Sequence, residues 1–298
     1  MKKLWFWSII IFSAVYFTTS CSSKDEEAQA QDDDEPIILE AATMLNVSYG
    51  NDAQQVYDIY LPHGRTEEKT KVLVLVHGGG WTEGDKSDMT EFISLIQEFH
   101  PDHAIVNMNY ILATATIPAF PNQFLDLDDV IDHLTASQGD LQILPEYGLI
   151  GTSAGAHISL MYDYVYDDTD VVKMVCDIVG PTDFTDPFYA NNAAYQILLG
   201  LLVDESAYPD GTDYAVATSP ALQVSSQSSP SLLFYGNEDP LVPLSNGELL
   251  NENLNSNQIT HSFTVYDGGH GDWDPASIID LQQKLSAFIN THLAISED

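Results

Sequence analysis

The chain has 298 residues, 44% of them hydrophobic and 18% charged, and sets 9 Lys and Arg against 45 Asp and Glu for a formal net charge of −36. The apolar fraction excludes global disorder despite the charge, and so few basic residues cannot supply the clustered cations that a nucleic-acid partner requires. At this length one large α/β domain is as good an expectation as two ordinary ones, and the acidity reads as a hydrated surface.

Lys2 and Lys3 precede an apolar run over residues 4–17, shorter than the ~20 residues that span a bilayer core. With the small-residue junction Thr18-Thr19-Ser20 this predicts a secretory signal over residues 1–20. The junction resembles a bacterial lipobox, with Thr18 where that motif prefers Leu, and the resemblance implies acylation at Cys21. The competing reading is an ordinary signal peptide with an incidental cysteine. Residues 21–36 read as an acidic, flexible tether, and Ser22-Ser23-Lys24-Asp25-Glu26-Glu27 resembles the acidic signal that directs lipoproteins of the Bacteroidetes to the cell surface. The expected location is the outer membrane or cell surface, with the membrane touched only through the lipid at Cys21. The other cysteine, Cys176, lies in an apolar run and reads as a buried thiol, so neither a disulfide framework nor a Cys-based zinc site is expected.

Residues 37–298 read as one folded domain. Two early strands are predicted over 37–49 and 56–62, with a turn at Asn51-Asp52. Short, nearly continuous apolar runs then recur at 72–76, 104–108, 147–150, 171–179, 231–235 and 261–266, the pattern of parallel strands covered on both faces. Helical stretches fall between them at 91–99, 156–165, 246–254 and 276–293. Another carries Phe124, Leu127, Val130, Ile131 and Leu134 at helical spacing, with Asp126, Asp128, Asp129 and Asp132 on the other face. Alternating strands and helices predict an α/β fold with a doubly wound, mostly parallel sheet. Residues 186–219 break the rhythm around an apolar centre at 197–203 and read as a short cap insertion rather than a second domain.

Gly151-Thr152-Ser153-Ala154-Gly155 matches G-x-S-x-G, and its context carries the argument. It follows a strand and opens a helix, where a serine sits on a sharp turn between closely packed elements. The bland alternative is a tight turn that merely uses small residues. His77-Gly78-Gly79-Gly80-Trp81 follows the strand at 72–76, and a glycine run there can aim backbone N–H groups at a developing oxyanion. The expected donors are the amides of Gly79 or Gly80, joined by that of Ala154. A phosphate loop is excluded because the G-K-[ST] ending is absent. His77 reads as a residue that fixes the loop.

A serine nucleophile needs a base, and the base an orienting carboxylate, in the chain order Ser, acid, His. Asp239 lies just past the strand at 231–235 and His270 just past that at 261–266. Glu238 is the rival acid; Asp239 is favoured because Pro240-Leu241-Val242-Pro243 fixes the loop behind it. His261 and His292 are poorly placed as bases, and His157 reads as a packing residue. Trp81, Phe120, Tyr189 and Trp273 are expected in or beside the pocket, where aromatic faces can stack on a flat or ring-shaped ligand, or else pack the cap. Asp272 and Asp274 read as turn residues. No metal or organic cofactor is implied, and no EF-hand-like spacing supports a calcium site.

Together these residues resemble the α/β-hydrolase superfamily, in its esterase and lipase branch with an HGGGW oxyanion motif, and within it the acetyl and feruloyl carbohydrate esterases. The resemblance covers about residues 40–295. It includes the strand at 56–62, Gly84-Asp85-Lys86, Asn109-Tyr110 with Phe120-Pro121 and Asp126, Gly180-Pro181-Thr182-Asp183, and Ser219-Pro220. It implies Ser153 as nucleophile, Asp239 as orienter and His270 as base, with an ester, most naturally an acylated carbohydrate, as substrate. Ile111 stands where relatives carry Arg, and Ala156 where many carry a second Gly. The alternatives are a general short-chain carboxylesterase or lipase, a peptidase on the same fold, and a non-catalytic surface binding lipoprotein.

Overall fold

The structure, a computed structural model, describes residues 38–296. The expected signal segment, Cys21 and the tether lie outside the described residues.

Among the described residues eight strands form one sheet: β1 (Ala42–Ser48), β2 (Val56–Leu61), β3 (Val72–Val76), β4 (Ala104–Met108), β5 (Tyr147–Thr152), β6 (Val172–Ile178), β7 (Ser231–Gly236) and β8 (His261–Tyr266), in the order β1-β2-β4-β3-β5-β6-β7-β8. β1 and β2 pair antiparallel, β2 joins β4 antiparallel, and the remaining pairs are parallel. The continuous apolar runs have a direct cause in β3. Val72, Val74 and Val76 enter the core on one face of the sheet, while Leu73 and Leu75 enter the core on the other. A strand buried on both sides favours apolar residues at successive positions.

The helices are α1 (Thr90–Phe99), α2 (Asn122–Ala136), α3 (Gln138–Leu141), α4 (Ala154–Met161), α5 (Pro187–Ala190), α6 (Ala193–Leu202), α7 (Tyr214–Ala217), α8 (Leu244–Ser256) and α9 (Pro275–His292). The apolar stripe of α2, from Phe124 to Leu134, is buried with Leu250 and Leu254 of α8 on one face. Ile93 and Ile96 of α1 share the other with Leu281, Leu285 and Ile289 of α9, whose i, i+4 spacing keeps them on one side of that helix. Asp274 starts α9 by accepting the Ser277 N–H at 2.7 Å, with Pro275 at the first helical position. α4 begins at Ala154, directly after the strand, and runs on into a π-helical turn over Tyr162–Tyr166.

Residues 186–219 carry α5, α6, α7 and a 3₁₀ turn at Glu205–Ala207. Two anchors hold this cap. Phe120 N–H donates to Leu202 O and Asp204 N–H to Phe120 O, both at 2.8 Å. At the other end Phe184 N–H donates to Ser219 Oγ at 2.7 Å, and Ser245 Oγ donates to Asp186 Oδ2 at 2.5 Å. The loops that follow β3, β5, β7 and β8 all leave the C-terminal ends of parallel strands, where an open α/β sheet places its ligand crevice.

Candidate active site

β5 delivers Ser153 at φ 52°, ψ −119°, a backbone state that costs a non-glycine residue about 1–3 kcal/mol and that its surroundings must enforce. The neighbouring glycines explain how. A Cβ on Gly151 would stand 2.4 Å from Ala156 N, and one on Gly155 would stand 2.1 Å from Val76 O. Strand and helix therefore meet closely enough to hold the turn only because both positions lack a side chain. Ser153 N–H is itself tied to Ile178 O at 2.8 Å.

His270 Nε2 lies 2.8 Å from Ser153 Oγ, and His270 Nδ1 lies 2.6 Å from Asp239 Oδ2. The carboxylate sets the tautomer: Nδ1–H donates to Asp239, which leaves Nε2 to accept the serine proton. The other oxygen of Asp239 accepts the N–H groups of Leu241 and Val242 at 2.8 and 3.0 Å. Burial pushes this carboxyl up, but the hydrogen bonds from His270, Val242 and Leu241 outweigh it and hold Asp239 below its ordinary value. Glu238 is exposed, and its N–H is spent on Gly268 O at 2.9 Å. Asp272 accepts the Gly269 N–H at 2.8 Å and so shapes the histidine loop.

The glycine loop is a tight turn in which Gly79 O accepts the N–H groups of Thr82 and Glu83 at 3.1 and 3.0 Å. Gly79 adopts φ 116°, and a Cβ there would stand 1.9 Å from Glu83 O. Ala154 is the first residue of α4, so its amide has no acceptor within the helix. His77 Nδ1–H donates to Gly78 O at 2.6 Å, its ring stacks on Tyr110 at 4.3 Å, and Tyr110 Oη–H donates to His77 O at 2.9 Å. Downstream, Lys86 forms a shielded ion pair with Asp58 at 2.8 Å, and its N–H donates to Asn109 Oδ1 at 2.6 Å. The Gly84-Asp85-Lys86 segment thereby clamps the loop to β2 and to the end of β4.

Gly79, Gly80, Trp81 and Tyr189 line a cavity of about 410 Å³ together with Ser153 and His270. Half of its remaining lining residues come from the cap, among them Leu198, Leu199 and Leu202 of α6. Of the other two expected pocket aromatics, Phe120 lines neither cavity beside Ser153, whereas Trp273 does. Phe120 is fully buried beneath the cavity, edge-on to Trp81 at 5.5 Å and stacked on Phe124 at 5.1 Å, because its backbone is engaged by the cap. Trp273 lines a second cavity, and its indole N–H donates to Gly269 O at 3.2 Å.

Three further residues shape the site: His157, which is buried in an aromatic cluster as its reading as a packing residue expects, and Asp177 and Asn246, which the sequence analysis did not single out. His157 accepts the indole N–H of Trp81 at Nδ1 (3.2 Å) and donates from Nε2 to Thr218 O (2.8 Å). Asp177, a single acid inside the apolar run of β6, receives Tyr235 Oη–H at 2.5 Å and Gly180 N–H at 2.7 Å, and burial pushes its carboxyl up to about 7. Asn246 Oδ1 accepts the N–H groups of Thr182 and Asp183, both at 2.8 Å. Asp177 was the one with a visible signal, a charge where apolar residues surround it. Among the described residues no group of three or more His, Cys, Asp or Glu is placed to hold a metal ion.

A mostly parallel sheet with a serine at a strand-to-helix elbow and a carboxylate-oriented histidine beside it defines an α/β-hydrolase of the serine type. Residues 57–254, more than half of the chain, match the BD-FAE family model, and the chain belongs to the BD-FAE family. It is 29% identical to arylacetamide deacetylase of Bos taurus over 155 residues, 47% of this chain and 37% of that protein. It is 22% identical to esterase LipC of Mycobacterium tuberculosis over 223 residues, 70% of this chain and 54% of that protein. The chain thus spans about half or less of the length of these curated relatives. Among solved structures, a truncated carbohydrate esterase from gut microbiota superposes with a TM-score of 0.66 at 19% identity, covering 83% of this chain and 97% of that one, a likeness of fold.

Proposed function

We propose that the chain hydrolyses carboxylic esters through an acyl-enzyme on Ser153, and that its substrates are acetyl or feruloyl groups carried on polysaccharide. The observation that carries the reading is the Ser153–His270–Asp239 chain of hydrogen bonds beside the glycine loop. His270 Nε2 takes the Ser153 proton as Oγ bonds to the ester carbonyl carbon, and the carbonyl electron pair moves onto oxygen. The amides of Gly79, Gly80 and Ala154 hold that oxyanion. Its collapse breaks the bond to the alcohol oxygen, which leaves with the proton that His270 carries. Water then gives a proton to His270 and attacks the acyl-enzyme, and Ser153 leaves with that proton as the acid is released. Asp239 stays ionised throughout, which its depressed pKa favours.

Carbohydrate as the alcohol draws support from the carbohydrate esterase that shares the fold, and a feruloyl acyl group from Trp81 and Tyr189 on the cavity wall, whose aromatic faces can stack on its ring. A general short-chain carboxylesterase is the second reading, favoured by the apolar wall that Leu198, Leu199 and Val242 give the cap cavity. Ser153→Ala should abolish turnover of a chromogenic acetyl ester, and wild-type-like rates in that variant would refute the assignment. Specificity constants on acetylated xylan, feruloylated oligosaccharide and nitrophenyl esters separate the two readings; markedly better turnover of the nitrophenyl esters favours the second.

We infer the location from the signal-like and lipobox-like residues 1–36. The chain is exported and held at the outer membrane or cell surface by a lipid on Cys21. Cys21→Ala should move the protein from the membrane fraction to the soluble one, and retention in the membrane would count against the anchor.

A further inference from the structure

Ser153 and His270 line two cavities. Besides the one under the cap, a second of about 340 Å³ opens between α1 and α9, with Glu91 and Phe92 on one side and Gln282 on the other, and no cap residue lines it. Trp273 and Gly271, which follow His270 in the chain, complete its inner wall.

The tetrahedral carbon formed on Ser153 carries three groups besides Oγ: the oxyanion, the acyl chain and the alcohol oxygen. The oxyanion goes to the glycine loop and to Ala154, and Gly79 and Gly80 line only the cap cavity. The alcohol oxygen must lie over His270 Nε2, which protonates it, so the group it bears extends along the residues that follow His270. These constraints separate the two halves of the substrate. We propose, on the footing of the esterase reading above, that the cap cavity takes the acyl group and that the cleft between α1 and α9 is a binding site for the alcohol, a neutral sugar.

The chemistry of the cleft fits that ligand. Phe92 and Trp273 offer apolar surface to the C–H face of a sugar ring, and the Trp273 N–H is already satisfied, which fixes its ring. Glu91 is exposed and Gln282 half-buried, and among the described residues neither side chain is spent on a partner within the protein. A free carboxylate and a free amide at the rim of an apolar cleft can orient hydroxyls.

The test compares esters that share an acid and differ in alcohol: methyl ferulate with arabinose ferulate, and methyl acetate with xylose acetate. In Glu91→Ala and Gln282→Ala, kcat/KM on the sugar ester should fall about tenfold further than on the methyl ester of the same acid, the contribution of one hydrogen bond involving a charged group or its near equivalent. Leu199→Ala, in the cap cavity, should alter the preference between acids and keep the sugar-to-methyl ratio within about twofold. Thermal melting checks that each variant is folded. Equal falls on both esters, or no fall on either, in the two cleft variants overturns the subsite, as does a Leu199→Ala effect on the ratio as large as theirs. A parent enzyme that cleaves none of the four esters overturns the esterase reading and the subsite with it, whereas active parent enzyme with unchanged ratios in the variants overturns the subsite alone.

Discussion

The indole N–H of Trp81 donates to Nδ1 of His157 at 3.2 Å, within a buried cluster that includes Phe120, Phe124 and Phe184. Because Nδ1 accepts, the proton of the neutral ring sits on Nε2, where it is given to Thr218 O, the residue that ends α7 of the cap. One imidazole thus joins the glycine loop, the elbow helix and the cap. His157→Phe fills the volume but leaves a buried N–H and a buried carbonyl unpaired, which should cost roughly 2–4 kcal/mol in urea unfolding at pH 7.

That cost should depend on pH. Burial lowers the His157 pKa to about 4, against about 6.5 in the unfolded chain. Between these values the unfolded state binds the proton and the folded state does not, so stability from this residue is present above pH 6.5 and is lost as the pH falls towards 4. Urea midpoints of wild type and His157→Phe should therefore converge over that window; a constant gap would argue that the imidazole is not held neutral.

Asp239→Asn keeps the shape of the side chain and removes its charge. On serine-protease precedent kcat should fall about 10,000-fold through loss of the tautomer that Ser153 requires. Since the folded pKa of Asp239 lies below the unfolded value of about 3.9, its contribution to stability is present above that value and is lost as pH falls through the folded pKa. Any stability deficit of Asp239→Asn measured at pH 7 should accordingly shrink in strong acid.

Two glycines near the site should differ in how much they tolerate alanine. Gly155→Ala drives a methyl group against the carbonyls of Val76 and His77, 2.1 and 2.4 Å from its ideal position, and should lower soluble yield or cost more than about 3 kcal/mol. At Gly80 no atom lies within 4 Å of an added Cβ, and only the φ of 56° is unfavourable, so Gly80→Ala should fold with a loss of about 1–2 kcal/mol. Differential scanning calorimetry of both variants checks the contrast.

The Asp58–Lys86 pair is largely shielded, with each side chain 12% exposed. Lys86→Met strands the carboxylate and should cost about 3 kcal/mol, while the double change with Asp58→Asn should recover part of it. Urea midpoints of the three variants measure the coupling; additive losses would show that the pair contributes nothing beyond packing.

The net charge of −36 should favour neutral esters over strongly anionic ones of similar size, through long-range repulsion that added salt screens. The ratio of kcat/KM for a neutral ester to that for its anionic analogue should therefore fall as sodium chloride is raised from 10 to about 500 mM, where the screening length shortens severalfold. Equal rates at low salt would show that the surface acids do not act at the site.

The triad was readable because each member stands one to four residues past the end of a parallel strand; β5 and β7 are buried and announce themselves as apolar runs, whereas β8, an edge strand, buries only Tyr266. Thr152 ends β5, Gly236 ends β7 and Tyr266 ends β8, so local pattern and chain order were enough to nominate Ser153, Asp239 and His270. The aromatic lining was not readable in the same way. Whether Phe120 faces a cavity depends on how the cap folds back on it, a contact with Leu202 and Asp204 far along the chain.

What the sequence determined by itself was the alternation of strand and helix, the elbow around Ser153 and the glycine loop after β3, all of which rest on side-chain periodicity and on residues that lack a Cβ. The tertiary structure alone decided that Trp81, His157 and Thr218 form one connected unit, that Phe120 is core, and that a second cavity opens beside Ser153. That cavity lies between Glu91 and Phe92 of α1 and Gln282 of α9. Helices so far apart in sequence acquire a common wall only when both pack on the same face of the sheet, and the distance between them there is set by the side chains buried beneath them.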